Sequence, residues 1–364
     1  MSADRRLRIV HLIWGLGVGG AETMLVDIAN EQAAAHETWV IIANRHVDAS
    51  IASGFDSAVK VVTLGRPRGS RNPWYLLKIL IALRRIRPDV IHAHEDSFAR
   101  LRKMISVPMV LTVHNTRLPL KGGLAAFDSV CCISEAVRRD VEVRFPRCRP
   151  RVIGNGIRYD AVAPKESYGR RPFRIVQIGR LTHEQKGQDL LIRALSAALE
   201  RMGMSSMCVD FIGCGDSLEY LKHLSVECRV EGQCRFLGSA TRRTIYETLC
   251  DYDLLVQPSR YEGFGLTILE GMAAGLPVLV SNIEGPKEII AEGKFGWSFR
   301  SEDIRDLTEN LLDLCVLSQA SEFPERMRDR VAQTRRLFDV SSTARKYLDE
   351  YARLTSSTQA SKER

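Results

Sequence analysis

The chain has 364 residues, of which 45% are hydrophobic and 26% are charged, a composition typical of globular proteins. The length predicts two domains, and no apolar run approaches the roughly 18 residues that a membrane-spanning helix needs. The net charge of +8 is uneven: residues 1–172 carry 27 Lys and Arg against 16 Asp and Glu, and residues 173–364 carry 25 against 28. The basic N-terminal half favours a polyanionic partner, such as an anionic membrane surface or nucleic acid; a solvated arginine-rich surface is the alternative.

The N-terminus and the cysteines both bear on localisation. The apolar run Ile9–Trp14 is as short as a strand and leads into glycines, which favours a first strand over a signal peptide. Nine cysteines are an odd number, and none of them form a CxxC pair, which argues against a disulfide framework or a zinc site. We therefore expect a cytoplasmic protein, with peripheral binding to the inner face of the membrane as a further option.

In the first half, short apolar runs alternate with amphipathic stretches, which predicts an α/β fold with a parallel sheet. Strands are predicted at Arg8–Ile13, Thr38–Ala43, Val59–Leu64, Val90–Ala93, Met109–Val113 and Val130–Ile133, and helices at Ala21–Ala34 and Trp74–Ile86. The Trp74–Ile86 stretch is either a core helix, which is the commoner case, or a helix that docks on anionic lipid.

A polar stretch with Pro and Gly, residues 164–172, predicts a linker, after which the alternation restarts. In the second half, strands are predicted at Phe173–Ile178, Cys208–Ile212, Arg235–Leu237, Leu254–Gln257 and Val278–Val280, and helices at Asp189–Arg201, Leu218–Glu227, Thr241–Cys250, Leu266–Ala274, Ile304–Leu317 and Phe338–Leu354. The predicted domains are therefore residues 1–165 and 173–337, both doubly wound and Rossmann-like, facing each other across a cleft, followed by a terminal segment, 338–364.

The glycine-rich loop Gly15-Leu-Gly17-Val-Gly19-Gly20 follows the first predicted strand and opens a helix, so it matches the dinucleotide fingerprint G-x-G-x-x-G. Glycines let the backbone approach a phosphate or a sugar closely. Asn44-Arg45 stands where a nicotinamide enzyme usually has an acidic residue, and Arg45 would suit a 2′-phosphate. An NADP-dependent oxidoreductase is therefore the alternative function that this loop suggests.

Three histidines, His92, His94 and His114, lie at or just after the ends of predicted strands. A metal site is one interpretation, but no carboxylate or thiolate with ligand spacing accompanies them. For His114 we favour a catalytic or sugar-contacting role over a purely structural one.

Arg180 and Lys186 lie in the loop between the first strand of the second half and the following helix. A planar guanidinium fork and a mobile ammonium group before a helix N-terminus suit a pyrophosphate. These residues are predicted to stabilise the charge on a departing nucleoside diphosphate; a surface salt bridge is the alternative.

The most informative segment is residues 258–277, which contains Glu262, Gly263, Gly265 and Glu270 after a buried strand. One carboxylate can address a reacting sugar, and the other can accept hydrogen bonds from a ribose diol. A role as helix N-terminal charges would account for Glu262 but not for the glycines or Glu270. The Asp251-Tyr-Asp253 sequence matches a metal-binding D-x-D, but its position predicts a turn and a strand entry.

Taken together, these motifs resemble the retaining GT-B glycosyltransferases of glycosyltransferase family 4, also called glycosyl transferases group 1. The resemblance covers nearly the whole chain. It rests on Gly-Gly-Ala-Glu (19–22), Val-Ile-His-Ala-His (90–94), Thr-Val-His114, Ile-Ser134-Glu, Gly154-Asn155-Gly156, Gly-Arg180-Leu, Lys186-Gly187, Phe-Leu-Gly238 and Glu262 to Glu270. One departure is Arg158, where the family usually has Asp after Asn-Gly-Ile.

The resemblance implies an N-terminal acceptor domain, a C-terminal donor domain, and a terminal helix that crosses back to the N-terminal domain. It implies catalytic Glu262 and His114, with Gly19 and Gly20 approaching the transferred sugar. It places Arg180 and Lys186 on the diphosphate, Glu270 on the ribose, Phe264, Gly265 and Leu266 near phosphate and sugar, and Gly238 near the base. His92 and Ser134 fall on the acceptor side.

The function that the resemblance implies is transfer of a sugar from a UDP- or GDP-sugar to a saccharide or lipid-linked acceptor in polysaccharide or lipopolysaccharide biosynthesis. Retention in this family is usually explained by the leaving phosphate assisting the acceptor hydroxyl, so we expect no metal and no cofactor. A nucleic-acid-binding module is disfavoured, because no aromatic platform or known nucleic-acid motif accompanies the basic half.

Overall fold

The structure of the protein is a computed structural model, which describes residues 5–120 and 123–362. The chain divides into two units: unit 1 comprises Met1–Ile157 and Val340–Arg364, and unit 2 comprises Arg158–Asp339. Each unit is built around one parallel sheet with helices. None of the helices in the described ranges is both long and apolar enough to cross a membrane.

Unit 1 has a seven-stranded parallel sheet in the order β3-β2-β1-β4-β5-β6-β7. Its strands are β1 Arg8–Ile13, β2 Glu37–Asn44, β3 Lys60–Arg66, β4 Val90–Ala93, β5 Met109–Val113, β6 Ser129–Cys132 and β7 Arg151–Val152. Its helices are α1 Gly20–Ala33, α2 Ala49–Ala52, α3 Trp74–Ile86, α4 Glu135–Arg144 and, at the C-terminus, α13 Val340–Lys362.

Unit 2 has a six-stranded parallel sheet in the order β10-β9-β8-β11-β12-β13. Its strands are β8 Phe173–Ile178, β9 Met207–Ile212, β10 Cys234–Gly238, β11 Leu254–Gln257, β12 Val278–Ser281 and β13 Trp297–Phe299. Its helices are α5 His183–Lys186, α6 Gln188–Met202, α7 Leu218–Glu227, α8 Arg242–Thr248, α9 Leu266–Ala273, α10 Glu284–Ile289, α11 Ile304–Leu317 and α12 Phe323–Phe338.

The order of strands reverses once in each sheet, between β1 and β4 in unit 1 and between β8 and β11 in unit 2. Ligands of doubly wound sheets bind at the carboxyl ends of the strands beside such a switch point. The glycine-rich loop, His94, Arg180 and Glu262 come after these four strands, whereas His114, Ser134 and Gly238 lie at the ends of β5, β6 and β10.

The segment 164–172, predicted as the linker, belongs to unit 2. The backbone N–H of Lys165 donates to the carbonyl of Ala274 at 2.8 Å, and the Tyr168 hydroxyl donates to the carbonyl of Gly275, also at 2.8 Å. The units divide instead between residues 157 and 158 and between residues 339 and 340. Composition suggested the linker, but these tertiary hydrogen bonds order the polar segment against α9.

The C-terminal helix α13 belongs to unit 1, as expected for the crossover helix that the family resemblance implies. Its Tyr347 and Tyr351 are fully buried, and the Thr343 hydroxyl donates to the carbonyl of Gly154 at 2.8 Å. The helix begins at Val340 rather than at Phe338, because residues up to Phe338 form α12, which the sequence analysis did not predict.

Candidate functional site

In unit 2, Arg180 and Lys186 follow β8 and precede α6, as predicted, but their environments differ. The Arg180 guanidinium is exposed and has no ion-pair partner within residues 5–120 and 123–362. The Lys186 side chain is only 18% exposed, and its Nζ forms an ion pair with Oε2 of Glu262. Arg180 is therefore available to an anion, whereas Lys186 already contacts a carboxylate.

Glu262 lies in the loop between β11 and α9, where Lys186 and Gln257 contact its carboxylate. The Gln257 Nε2 donates to Glu262 Oε2 at 3.1 Å, and the Thr267 hydroxyl donates to Gln257 Oε1 at 3.0 Å. Because Gln257 both donates and accepts, the orientation of its amide is fixed. The sequence analysis did not identify Gln257, which looked like the last residue of an ordinary buried strand.

The second carboxylate, Glu270, is on α9 and is 7% exposed. Phe264 before that helix is buried, and Leu266 is its first residue. Gly265 caps the helix with a φ of 112°, and a Cβ there would lie 2.7 Å from Ile268 Cδ1. The loop conformation therefore requires glycine at this position.

Arg260, a residue that sequence reasoning missed, ties the loop after β11 to the loop after β8. Its guanidinium donates to both carboxylate oxygens of Asp189 at 2.8 and 2.9 Å, to the carbonyl of His183 at 2.6 Å and to Glu302 at 2.6 Å. Its backbone N–H donates to the carbonyl of Gln185 at 2.8 Å. The hydrogen bonds to Asp189 raise the pKa of Arg260, so it carries its charge at any physiological pH.

The carboxyl ends of β8, β9 and β10 approach one another through glycines. Gly213 N donates to the carbonyl of Gly238 at 2.8 Å, and a Cβ on Gly213 would lie 2.0 Å from the carbonyl oxygen of Gly179. Gly238 ends β10 with a φ of 71°, and no atom lies within 4 Å of where its Cβ would be. The backbone at Gly238 therefore borders open space, which suits the predicted contact with a base.

Asp253 directly precedes β11, as its interpretation as a strand entry predicts. It accepts a hydrogen bond from the Arg174 backbone N–H at 3.0 Å and forms a buried ion pair with Lys165 at 3.1 Å. Asp251 ends a short 3-10 helix just before it. These contacts explain the D-x-D sequence without a ligand.

In unit 1, the glycine-rich loop connects β1 to α1. The carboxylate of Glu95 accepts from the Trp14 backbone N–H at 3.3 and 3.4 Å, and the Trp14 indole donates to Ser97 at 2.6 Å. Gly19 is the N-cap of α1, and a Cβ there would lie 2.5 Å from Glu22 Oε2. Burial raises the pKa of Glu95 to about 8. The sequence analysis did not single out this titratable group.

His92, His94 and His114 form one cluster with His11 of β1, in which His114 is half-buried and the other three are buried. His11 Nδ1 lies 3.1 Å from His94 Nε2, and His94 Nδ1 lies 3.0 Å from His114 Nε2. Burial lowers the pKa of His11 and of His114 to about 4, and it lowers the pKa of His92 and of His94 well below the usual value. All four rings are therefore neutral near pH 7.

His11, His92 and His94 have ring nitrogens within 4.8 Å of one another, close enough to share a metal ion. The metal alternative considered from the sequence named His114 rather than His11. Each ring nitrogen of these three residues already has a hydrogen-bond partner within unit 1. A metal ion would have to displace these partners.

His92 and Ser134, the two residues predicted on the acceptor side, are both fully buried. The nitrogens of His92 contact the Tyr351 hydroxyl at 2.6 Å and the Thr112 hydroxyl at 2.7 Å. Ser134 is the N-cap of α4, and its Oγ accepts from the Val137 backbone N–H at 3.1 Å. These placements argue against direct contact with an acceptor, because both side chains serve interior hydrogen bonds.

Two family models match the chain. "Glycosyltransferase Family 4" matches residues 18–161, and "Glycosyl transferases group 1" matches residues 163–334. The chain belongs to the GT-B glycosyltransferases of this family. The family assignment leaves the NADP-dependent alternative for the glycine-rich loop without support.

The chain is also similar to individual glycosyltransferases. It is 33% identical to an uncharacterized glycosyltransferase of Methanocaldococcus jannaschii over 56% of this chain and 60% of that protein. It is 30% identical to the glycogen synthase of Mycobacterium tuberculosis over 64% of this chain and 61% of that protein. These matches thus span about three fifths of the curated relatives' lengths.

Among solved structures, Anabaena HepE in complex with UDP-glucose is similar with a TM-score of 0.80 and 20% identity, over 96% of this chain and 100% of that chain. A likeness at this level of identity shows the fold. The fold thus agrees with the family to which the chain belongs.

Proposed function

We propose that the protein is a retaining glycosyltransferase that transfers a sugar from a UDP- or GDP-sugar to a saccharide or lipid-linked acceptor. The observation that carries the proposal is that the exposed Arg180 and the Lys186–Glu262 ion pair lie on the loops at the carboxyl ends of β8 and β11. A guanidinium fork binds the oxygens of a phosphate in a bidentate manner, and a neighbouring ammonium adds a second positive charge. This arrangement suits a diphosphate whose negative charge grows as it leaves the sugar.

We assign the donor contacts of unit 2 accordingly. Arg180 and Lys186 hold the diphosphate, and Glu270 accepts hydrogen bonds from the ribose hydroxyls. The backbone of residues 264–266 at the start of α9 faces phosphate and sugar, where helix N–H groups favour an anion. Gly238 borders the base. HepE, which shares the fold, was solved with UDP-glucose, and this supports a nucleotide-sugar donor.

For the transferred sugar, we assign the contacts that the family resemblance implies, namely Glu262, His114, Gly19 and Gly20. In the retaining reaction, the bond from C1 to the phosphate oxygen breaks, and its electron pair stays on the leaving diphosphate. The acceptor hydroxyl bonds to C1 from the same face, and its proton passes to a phosphate oxygen. Catalysis then rests on positioning and on electrostatic stabilisation, without a metal, a cofactor or an enzymatic nucleophile.

We further propose a role in polysaccharide or lipopolysaccharide biosynthesis at the cytoplasmic face of a membrane. The basic N-terminal half supports binding to anionic lipid. Helix α3 buries Ile79, Leu83 and Ile86 but leaves Trp74 51% and Leu77 42% exposed. Sedimentation with anionic liposomes tests this: binding at low salt that is lost at high salt is expected, and no binding at low salt would contradict it.

The experiment that tests the function is a thermal-shift screen of UDP- and GDP-sugars, followed by transfer assays with the donor that stabilises the protein. A donor at about 100 times its dissociation constant stabilises the folded state by roughly 2.7 kcal/mol. NMR of the product should show the anomeric configuration of the donor, and activity should persist in EDTA. An inverted product would contradict the mechanism, and loss of activity in EDTA would contradict metal independence.

A further inference from the structure

Four side chains of unit 1 are hydrogen-bonded in series: Gln32 of α1, His11, His94 and His114. We call this series the histidine chain. His11 Nε2 lies 2.8 Å from Gln32 Oε1, His11 Nδ1 lies 3.1 Å from His94 Nε2, and His94 Nδ1 lies 3.0 Å from His114 Nε2. A neutral imidazole has one N–H and one bare nitrogen. Each link therefore has a direction, and fixing one end of the series fixes the other.

At the Gln32 end, the amide places Oε1 towards His11 and Nε2 towards Tyr351 of α13. The Gln32 amide Nε2 donates to the Tyr351 hydroxyl at 3.4 Å, and that hydroxyl lies 2.6 Å from His92 Nδ1. A hydroxyl that accepts from the amide has its own proton free to donate to His92. The Gln32 carbonyl oxygen is then the atom that faces His11, and a carbonyl oxygen only accepts. His11 must therefore carry its proton on Nε2.

The direction of the hydrogen bonds is then fixed along the whole histidine chain as far as His114. The bare Nδ1 of His11 accepts from Nε2–H of His94, and the bare Nδ1 of His94 accepts from Nε2–H of His114. The Nδ1 of His114 is then left as an acceptor. It is buried and has no hydrogen-bond partner among the residues that the structure describes.

We propose that Gln32 is a positioning residue that holds His114 as the Nε2–H tautomer, so that its Nδ1 accepts a hydrogen bond from a hydroxyl of the transferred sugar. This rests on the proposed function. A buried acceptor without a partner costs stability, and a sugar hydroxyl would supply the missing partner. Rotating the Gln32 amide would reverse every link and turn His114 Nδ1 into a donor.

The direct test is NMR of the full chain with nitrogen-15 in its histidines, which distinguishes protonated from bare ring nitrogens. We expect His11, His94 and His114 to carry their protons on Nε2. Gln32→Met removes the accepting oxygen at similar size and should produce a mixture of tautomers at His114. Asn30→Leu is the matched control, because it removes another buried amide from α1, one that bonds Gly54 and Asp56 instead.

Two results would overturn the proposal: Nδ1–H at His114 in the unsubstituted protein, or an unchanged tautomer in Gln32→Met. If Gln32→Met does not fold, Tyr351→Phe supplies the same test with the loss of one hydroxyl. It frees the Gln32 amide to rotate, so a shift of the His114 tautomer supports the proposal, and no shift contradicts it.

Calorimetry with UDP-glucose and with UDP adds a binding readout. Gln32→Met should lower the affinity for UDP-glucose about tenfold, which corresponds to the loss of one hydrogen bond. The affinity for UDP should stay within about twofold. Equal loss for both ligands would contradict the positioning role. If the unsubstituted protein binds neither ligand, UDP-glucose is excluded as the donor, whereas the tautomers measured by NMR still decide the role of Gln32.

Discussion

Lys186 Nζ and Glu262 Oε2 form an ion pair, although we assign one to the leaving diphosphate and the other to the sugar. Both side chains are largely buried, at 18% and 13% exposed. The carboxylate therefore partly neutralises the cation until a more highly charged anion arrives. The pair holds both side chains in place without a donor, and a donor must loosen it to reach Lys186.

Glu262→Gln should therefore separate binding from transfer. The amide keeps the size of the side chain but releases Lys186, so UDP should bind about fivefold more tightly, the effect of a partly buried ion pair. Transfer should fall at least about a hundredfold, because the carboxylate is lost where charge develops. Calorimetry and a transfer assay measure the two effects. Glu302→Gln, which breaks the exposed ion pair with Arg260, is the control; transfer at the parent rate in Glu262→Gln would exclude the catalytic role.

Arg180→Ala should weaken the binding of UDP by about ten- to a hundredfold, as expected for charge-assisted hydrogen bonds to phosphate. Arg180→Lys should recover only part of this affinity, because an ammonium lacks the planar fork. Calorimetry at low and high salt measures both. Arg193→Ala, which removes an exposed arginine from α6, should leave the affinity unchanged. An equal affinity in Arg180→Ala and the parent protein would remove the assignment to the diphosphate.

Arg260→Ala should lower the free energy of unfolding by about 2–4 kcal/mol, because it leaves the Asp189 carboxylate, only 12% exposed, without its bidentate partner. The loops after β8 and β11 lose a shared contact, so the KM for the donor should rise as well. Urea denaturation and steady-state kinetics measure the two effects. Adding Asp189→Leu to Arg260→Ala should restore much of the stability; a double variant less stable than Arg260→Ala would contradict this account.

The strands and loops of the site could be predicted from the sequence because each depends on local pattern. Five predicted strands, including Arg8–Ile13 and Leu254–Gln257, have the observed bounds, and the others that were predicted differ by one or two residues at one or both ends. Arg180 and Glu262 fell at strand ends as expected. The short strand Trp297–Phe299 and the helix α12 were missed, the first because three residues carry no periodicity.

The supporting contacts could not be predicted, since they join residues far apart in the chain. Gln32 and Tyr351 are separated by 319 positions, and Asp189 and Arg260 by 71. Each pair forms only after the helices and loops have packed. Burial also changes the interpretation of His92 and Ser134. A sequence motif does not show whether its side chain faces a ligand or the interior.

The buried histidines predict a loss of stability in mild acid. His11 and His114 have a pKa of about 4 in the folded protein against about 6.5 in the unfolded chain, so the unfolded chain takes up protons first. The contribution of these two histidines to the free energy of unfolding is complete above about pH 6.5. It falls towards pH 4, by up to about 1.4 kcal/mol per pH unit for each histidine. Urea denaturation between pH 7.5 and 5 measures the slope.

Glu95 also makes the free energy of unfolding depend on pH, because burial raises its pKa to about 8. Its contribution to stability runs the opposite way: it is present at low pH and is lost as the pH rises towards 8. Glu95→Gln is therefore the appropriate background. In that background, His11→Asn should reduce the slope, and substitution of the exposed His223 should not. A slope that His11→Asn leaves unchanged would contradict the buried, neutral state of His11.

Gly187 joins α5 to α6 directly after Lys186, and two constraints hold it as glycine. Its φ is 65°, and a Cβ there would lie 1.9 Å from the carbonyl oxygen of Pro258. Gly203 has a positive φ of 95° too, but no atom lies within 4 Å of where its Cβ would be. Gly203→Ala therefore measures the cost of a positive-φ backbone without a clash, which at its ψ of 146° is about 1–3 kcal/mol.

Gly187→Ala should cost clearly more, by about 2 kcal/mol or greater, because the carbonyl of Pro258 has to move. That movement also shifts the loop that holds Glu262 away from Lys186, so the affinity for UDP should change in Gly187→Ala and not in Gly203→Ala. Urea denaturation and calorimetry on the two variants separate these effects. Equal losses of stability in the two variants would show that the close approach of Gly187 to Pro258 does not constrain the site.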